Sequence, residues 1–436
     1  MKFRLILNDM KRIIQSTVAI LARLTLARYA PRVIAVTGNV GKTSTKEAIY
    51  AVVSSQFVVR KSEKNYNNEI GVPLTILGMP SAGRNIFTWI IVIIQACMRL
   101  VWCRYPRVLI LEMGVDKPRD MDYLLSIVKP DIAVFTAIGE IPVHVENFVN
   151  AQAVIREKIK LALALEKDNV VILNEDIAAW TDAKERIKAS VVTYGFSDTA
   201  TVHIYTPEYR FESREGKTAP LGVTFKMEYK GSVVPFRLDG IFGLFPGAYA
   251  AGAACAVGIA LGMNLVEISS ALQSYGAPNG RLKLLDGIKG SFILDDTYNA
   301  SPISTEAALH ALATIPAQRK IAVLGDMLEL GSYSEHAHRD IGKKAAEICD
   351  VLITVGERMR FAADEALAHN FKKNESLFSF DTATDAGNAL VAVVQDGDLV
   401  LVKGSQGMRM EKAVKEIMAY PELASTLLVR QDKNWL

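Results

Sequence analysis

The sequence has few cysteines, and none of them are spaced for chemistry: Cys97, Cys103, Cys255 and Cys349 form no CxxC pair and no metal-type cluster with histidine. That excludes a disulfide scaffold and a structural zinc, and suits free thiols in a reducing compartment. An excess of one charge is also lacking. Fifty Lys and Arg against 47 Asp and Glu leave a formal charge of +3, too little for a global field that would hold nucleic acid. No internal repeat, low-complexity tract or long linker is present. With 50% hydrophobic and 22% charged residues, the composition excludes collagen, a coiled coil and a disordered chain. At about 150 residues per domain, the length predicts roughly three compact units.

No apolar run reaches the ~18 residues that a spanning helix needs. Two stretches are nonetheless unusually apolar. From Met1 to Ala30 the chain carries Lys2, Arg4, Lys11, Arg12, Arg23 and Arg28 against Asp9 alone. Its apolar residues Ile6, Met10, Ile13, Ile14, Val18, Leu21 and Leu24 recur at helical spacing, which predicts a basic amphipathic helix. A signal peptide is disfavoured, since cleavage near Ala30 would carry a nucleotide loop into a compartment without ATP. The second stretch, Asn85 to Met98, is uncharged, bounded by Arg84 and Arg99, with Trp89 and Trp102 near its ends. Both stretches can pack on each other or on the domain. The sharper reading is a cytoplasmic chain in peripheral contact with the inner membrane surface.

Short apolar runs alternate with helical patterns, as in a parallel sheet. The expected strands are Val33 to Thr37, Val108 to Glu112, Ile132 to Thr136 and Val170 to Leu173. Between Thr201 and Asp239 the pattern turns to period-two alternation, which predicts appended antiparallel strands. An Ala/Gly-rich helix follows, from Gly247 to Leu261. A second α/β series then has Phe292 to Asp295, Ile321 to Leu324, Val351 to Val355 and Leu399 to Val402 as strands. The expected division is a basic helix over 1–30, a central ATP-binding domain over 31–285 and a Rossmann-like domain over 286–436. The fold class is α/β, with a mostly parallel central sheet.

The strongest chemical signal follows the first strand: Thr37, Gly38, Asn39, Val40, Gly41, Lys42, Thr43, Ser44. Glycines let successive backbone N–H groups converge on phosphate oxygens, and the following helix adds its positive end. Lys42 neutralises β/γ charge, and the Thr43 hydroxyl is placed to ligate Mg²⁺. The expected ligand is ATP or GTP. Glu112 ends the strand VLILE, where an open α/β sheet puts a carboxylate at its carboxyl edge. His144 follows the next strand and by itself carries little weight.

Together these pieces resemble the ATP-dependent Mur ligases, and among them the branch that adds D-alanyl-D-alanine to a UDP-muramoyl-tripeptide. The likeness runs from Pro31 to Lys412. It rests on TGxxGKTSTKE, Asn67-Asn68-Glu69-Ile70-Gly71-Val72-Pro73, Leu111 to Gly114, Asn279-Gly280-Arg281, Asp295 to Pro302, Gly325 to Gly331, His338-Arg339 and Val402 to Ser405. The resemblance implies an acyl-phosphate mechanism with ATP and Mg²⁺. Mg²⁺ would be held through Thr43 and Glu112, with a second Mg²⁺ near His144. Lys158 would be carbamoylated and would serve the metals; an unmodified lysine is otherwise a solvated cation. Arg281 would meet the phosphates, and Asp296 and Asn299 would lie towards the nucleoside. The implied substrates are a nucleotide-linked muramyl peptide and D-Ala-D-Ala.

Several positions depart from the family pattern. Ala137 and Lys160 replace an Asn and an acid, and two extra residues precede His144. Phe245, Pro246 and Tyr249 replace a His-Asn…Asn motif, and Gln406 replaces an Arg that Arg409 is close enough to supply. Members of this branch carry an N-terminal UDP-binding domain, and only some 30 residues precede the loop here. The expectation is that the basic helix and the stretch 85–103 take its place. A Mur-type ligase with a lipid-linked or non-muramyl acceptor, and a membrane-associated nucleotide-binding scaffold without ligase activity, remain as other readings.

Overall fold

A strand with no charge along its length is stable only when both its faces are covered, and that is where the sequence's apolar runs lie. The computed structural model describes residues 2–63, 66–83, 85–101, 104–214, 217–369 and 371–431, with the backbone alone for 2–11, 86, 213, 214 and 217–219. Met1, Arg84, Trp102, Cys103 and the last five residues lie outside the described residues.

The first sheet contains β1 (Arg32–Thr37), β2 (Val59–Lys61), β3 (Val108–Glu112), β4 (Ile132–Phe135), β5 (Val170–Asn174), β6 (Ser190–Gly195), β7 (Val202–Arg214), β8 (Lys217–Tyr229) and β9 (Ser232–Asp239). Their order is β2-β3-β1-β4-β5-β6-β7-β8-β9. Pairing is parallel as far as β7 and antiparallel from β7 to β9, as the change of period predicts. Strand β1 alternates, with Ile34 and Val36 in one core and Val33 and Ala35 in the other. Helix α1 (Lys2–Tyr29), α2 (Lys42–Ser54), α3 (Gly71–Leu77), α4 (Ile86–Val101), α5 (Asp120–Ile127) and α6 (Ala151–Leu163) cover the sheet.

The Ala/Gly-rich helix runs over Leu244–Ala260 and packs against α2. Two of its glycines sit close to neighbours: a Cβ at Gly252 would stand 2.6 Å from the end of Ile204 and one at Gly258 2.8 Å from the end of Ile268, so those side chains would have to shift. Helices α1 and α4 each send one stripe into the core: Val18, Ala19 and Ala22 from the first, Trp89, Val92 and Ala96 from the second. The Tyr29 hydroxyl, at the end of α1, donates to Arg99 O at 2.8 Å and so ties the two helices together.

The second sheet has β10 (Lys283–Asp286), β11 (Phe292–Asp296), β12 (Arg319–Gly325), β13 (Val351–Val355), β14 (Leu377–Phe380) and β15 (Asp398–Lys403), in the order β10-β11-β15-β12-β13-β14. Strand β10 pairs antiparallel with β11. The chain therefore enters the second sheet at Lys283, ahead of the boundary expected after residue 285. Strands β2, β6, β10 and β14 are additions to the sequence-based expectation.

Candidate active site

Strand order reverses at β1, whose neighbours are β3 and β4. The crevice beyond its carboxyl end is the place where an open α/β sheet binds a ligand. The loop 38–41 fills that crevice. Gly38 has φ 139° and a Cβ there would meet Thr136 Oγ1 at 2.1 Å, while Gly41 caps α2 with φ 84°. Only glycine fits both positions. The Asn39 and Val40 amides donate to Ala137 O at 3.0 and 3.1 Å, and Thr136 Oγ1 donates to Val40 O at 2.7 Å. The end of β4 thereby fixes the loop.

Lys42 Nζ curls over that loop, donating to Gly38 O and Asn39 O at 3.1 and 3.2 Å. Its pKa is lowered, first by desolvation and then by the Arg281 charge, with Glu112 opposing. Thr43 Oγ1 donates to Glu112 Oε2 at 3.2 Å, and Asn67 Nδ2 donates to Glu112 Oε1 at 3.4 Å. Arg281 reaches across from the second lobe: its Nη2 donates to Thr43 Oγ1 at 3.0 Å, and its guanidinium lies 4.0 Å from the ring centroid of Tyr298.

Eleven of the expected residues, Asn39, Val40, Gly41, Lys42, Thr43, Ser44, Glu112, His144, Arg281, Asp296 and Asn299, line one cavity of about 330 Å³. Two of its wall residues carry buried polar atoms without a partner among the described residues, Asn39 Oδ1 and Arg281 Nε. Orphaned polar atoms on a cavity wall fit a polar ligand. Thr43 and Glu112 offer hard oxygen donors of the kind Mg²⁺ takes alongside phosphate and water. Among the described residues no group of three or more His, Cys, Asp or Glu could hold a metal.

Other expected residues sit differently. Gly38 lies beneath the loop, against Thr136. Lys158, on α6, is 2% exposed and off the cavity wall. Burial and the charge of Lys42 push its pKa down to about 7, against Asp116, Asp120 and Glu157. Both ring nitrogens of His144 are engaged, Nε2 with Asp116 Oδ1 at 3.3 Å and Nδ1 with Glu329 Oε2 at 2.8 Å. The contact with His144 holds the Glu329 carboxyl below its usual range. Asp296 accepts from Leu282 N at 3.1 Å and faces Lys403 Nζ at 2.5 Å. Asn299 supplies its carbonyl to Lys403 at 2.9 Å, and its side-chain oxygen accepts from Gln406 N at 3.3 Å. Arg409 does not stand in for the arginine missing at Gln406: its Nε lies 2.6 Å from buried Glu411, while Gln406 and Gly407 form the wall. Lys160 pairs with Asp122 and Glu157 at 2.6 and 2.7 Å.

Phe245 and Tyr249 join Phe196 in an edge-to-face cluster, with Tyr249 Oη 2.9 Å from Asp176. Of the three replacement residues, Pro246 alone reaches the cavity wall. Sequence reasoning passed over Asp116 and Tyr275 and gave no role to Tyr298, Glu329 and Lys403 within the quoted motifs, though all five are on that wall. Lys403 had a readable signal, a lone charge ending an apolar strand, as at Glu112. A second cavity, of about 590 Å³, shares Asp116 with the first; Arg12, Lys117 and Arg119 line it together with Glu69 and Asp120, and Lys117 pairs with Asp120 at 3.3 Å.

Residues 36–89 and 93–242 match the Mur ligase middle domain, and residues 280–406 match the Mur ligase glutamate ligase domain. The chain is 31% identical over 406 residues to the UDP-N-acetylmuramoyl-tripeptide–D-alanyl-D-alanine ligase of Bacillus subtilis, covering 92% of this chain and 79% of that protein. It is 29% identical over 391 residues to the protein of the same description from Escherichia coli, covering 88% and 76%. Among solved structures, MurF from Acinetobacter baumannii superposes with a TM-score of 0.75 at 24% identity, covering 92% of this chain and 79% of that one. The MurF ligase of Thermotoga maritima in complex with ADP gives 0.73 at 24% identity, covering 92% and 83%.

Proposed function

Because the chain belongs to the Mur ligase family, we propose that it is an ATP-dependent, ADP-forming ligase of cell-wall precursor synthesis. Its reaction joins D-alanyl-D-alanine to the terminal carboxylate of a UDP-muramoyl-tripeptide. The observation that carries this reading is the convergence of Lys42, Thr43 and Glu112 with Arg281 and Asp296 of the other lobe on one cavity.

The chemistry follows from what these groups do. A carboxylate attacking the γ-phosphorus of ATP meets charge repulsion, so cations must face both reactants. Lys42 and Arg281 supply two. The Asn39 and Val40 amides are taken by Ala137 O, so the amides from Gly41 into the first turn of α2 would hold phosphate oxygens. Thr43 and Glu112 would hold Mg²⁺, which would neutralise phosphate charge when bound. The amine then attacks the acyl carbon, the C–O bond to phosphate breaks with release of inorganic phosphate, and loss of a proton from nitrogen leaves the amide. Closing the second lobe over the loop, through Arg281 to Thr43, excludes water from that labile intermediate.

Lys158 adds a support of its own. With its pKa near 7, a large share of the side chain is neutral amine, the form that adds CO₂ and releases a proton to give a carbamate. The product would face Lys42 as an anion where an ammonium repels it. Peripheral contact with a membrane belongs to the same reading, carried by the outer sides of α1 and α4.

The test is release of ADP in the presence of muramyl tripeptide nucleotide, D-Ala-D-Ala, both or neither. Release that needs both supports the reading. Release with another carboxylate acceptor alone would move the assignment to that acceptor, and none with any pair would leave a scaffold.

A further inference from the structure

We propose that the outward sides of α1 and α4 form a docking surface for an anionic lipid bilayer, the two helices lying flat in its interfacial layer. The inference rests on the peripheral contact read above and adds how the helices lie and the charge of the lipid. Helix α4 has 16 residues, about 24 Å at 1.5 Å per residue, short of the roughly 30 Å of a hydrocarbon core. Among the described residues no helix is long and apolar enough to cross a membrane.

Among the described residues nothing covers the outer side of α4. Its inner stripe is core. Its outer stripe is equally apolar: Phe87, Ile90, Ile91, Ile94, Met98 and Val101 are 50–74% exposed. A helix stripe that faces water is ordinarily polar, and a contiguous apolar patch of this kind marks an interaction site. Helix α1, packed beside α4, adds Ile13 at 65%, Ile20 at 48% and Leu24 at 49% exposure.

Charge selects the occupant. Arg12, Arg23 and Arg28 are exposed on α1 and Arg99 on α4. Helix α4 contains no acid, and α1 contains only Asp9. Pairing with a second copy would bring two basic rims together. An anionic lipid surface attracts the same residues while the aliphatic side chains enter the headgroup and acyl boundary.

The experiment is co-sedimentation of the full chain with vesicles of phosphatidylcholine, alone or with about a third phosphatidylglycerol, followed on the same samples by ADP release with both ligase substrates. Wild type should pellet with the anionic vesicles and be released by salt. Ile90→Glu/Ile94→Glu should lower the partition about tenfold or more with turnover unchanged. Arg23→Glu, which leaves the apolar face intact, should weaken binding to anionic vesicles alone. Normal turnover with no pelleting, or pelleting of the double variant as wild type, would overturn the surface. A dimer in sedimentation velocity that the double variant abolishes would replace it with a self-interface. Pelleting retained without turnover would count against the ligase reading and leave the surface standing.

Discussion

Arg281 Nη2 donates to Thr43 Oγ1 over 3.0 Å, joining the second lobe to the phosphate loop of the first. Its guanidinium plane also rests on Tyr298. A lysine has neither the plane nor the fork. Arg281→Lys should therefore lower kcat about 10- to 100-fold and raise KM for ATP, read by coupled ADP release. An unchanged kcat would mean that the contact is only structural.

Lys42 is partly buried and donates to two loop carbonyls, Gly38 O and Asn39 O. Lys42→Ala removes the charge that faces the β/γ-phosphates, and turnover should fall at least about 100-fold with the circular dichroism spectrum unchanged. A fall of less than about threefold would place phosphate neutralisation elsewhere.

Lys158 should behave as a carbamate. As pH rises through about 7 the neutral amine becomes the main form, so enzyme stripped of bicarbonate should regain activity on adding it, and faster on the alkaline side of that value. Lys158→Ala should lose activity and recover part of it with acetate or formate. A folded variant that small carboxylates do not rescue would argue against the modification.

Asp295 is fully buried, its Oδ2 has no partner among the described residues, and burial raises its pKa from 3.8 to about 6. Between those values the folded chain binds more protons than the unfolded one, so this group's contribution falls as pH rises through the window and its cost is complete above about 6. Asp295→Asn keeps an oxygen for Thr297, which donates to Asp295 Oδ1 at 2.6 Å. Its gain in thermal midpoint over wild type should be largest near about pH 8 and shrink towards about pH 4. A difference constant with pH would reject the assignment.

The phosphate loop, Glu112 and the central strands were legible because a fully buried parallel strand has to be a continuous apolar run, and a polar residue at its end has to face the crevice. The strands that escaped notice are short or polar at their flanks: Val59–Lys61 has three residues, and Leu377–Phe380 sits among charged neighbours. Lys283–Asp286 was hidden at the domain junction. Contacts between lobes were beyond the sequence, since nothing local in Leu-Glu-Leu announces that Glu329 will meet His144, 185 positions away by subtraction of their numbers. The two apolar stretches defeat a choice between core and surface for a simple reason: each helix is both, one stripe inward and the other outward.

The outer side of α4 also carries a thiol. Cys97 is exposed there, whereas Cys255 and Cys349 are buried, the latter with its pKa pushed up to about 12. Thiolate is the reactive form, so a maleimide dye should label Cys97 in preference to those two, once Cys103, which lies outside the described residues, is replaced by serine. The helix thus comes with a natural attachment point for a polarity-sensitive fluorophore, whose emission colour would report how deeply that side of the molecule sits in any medium it meets.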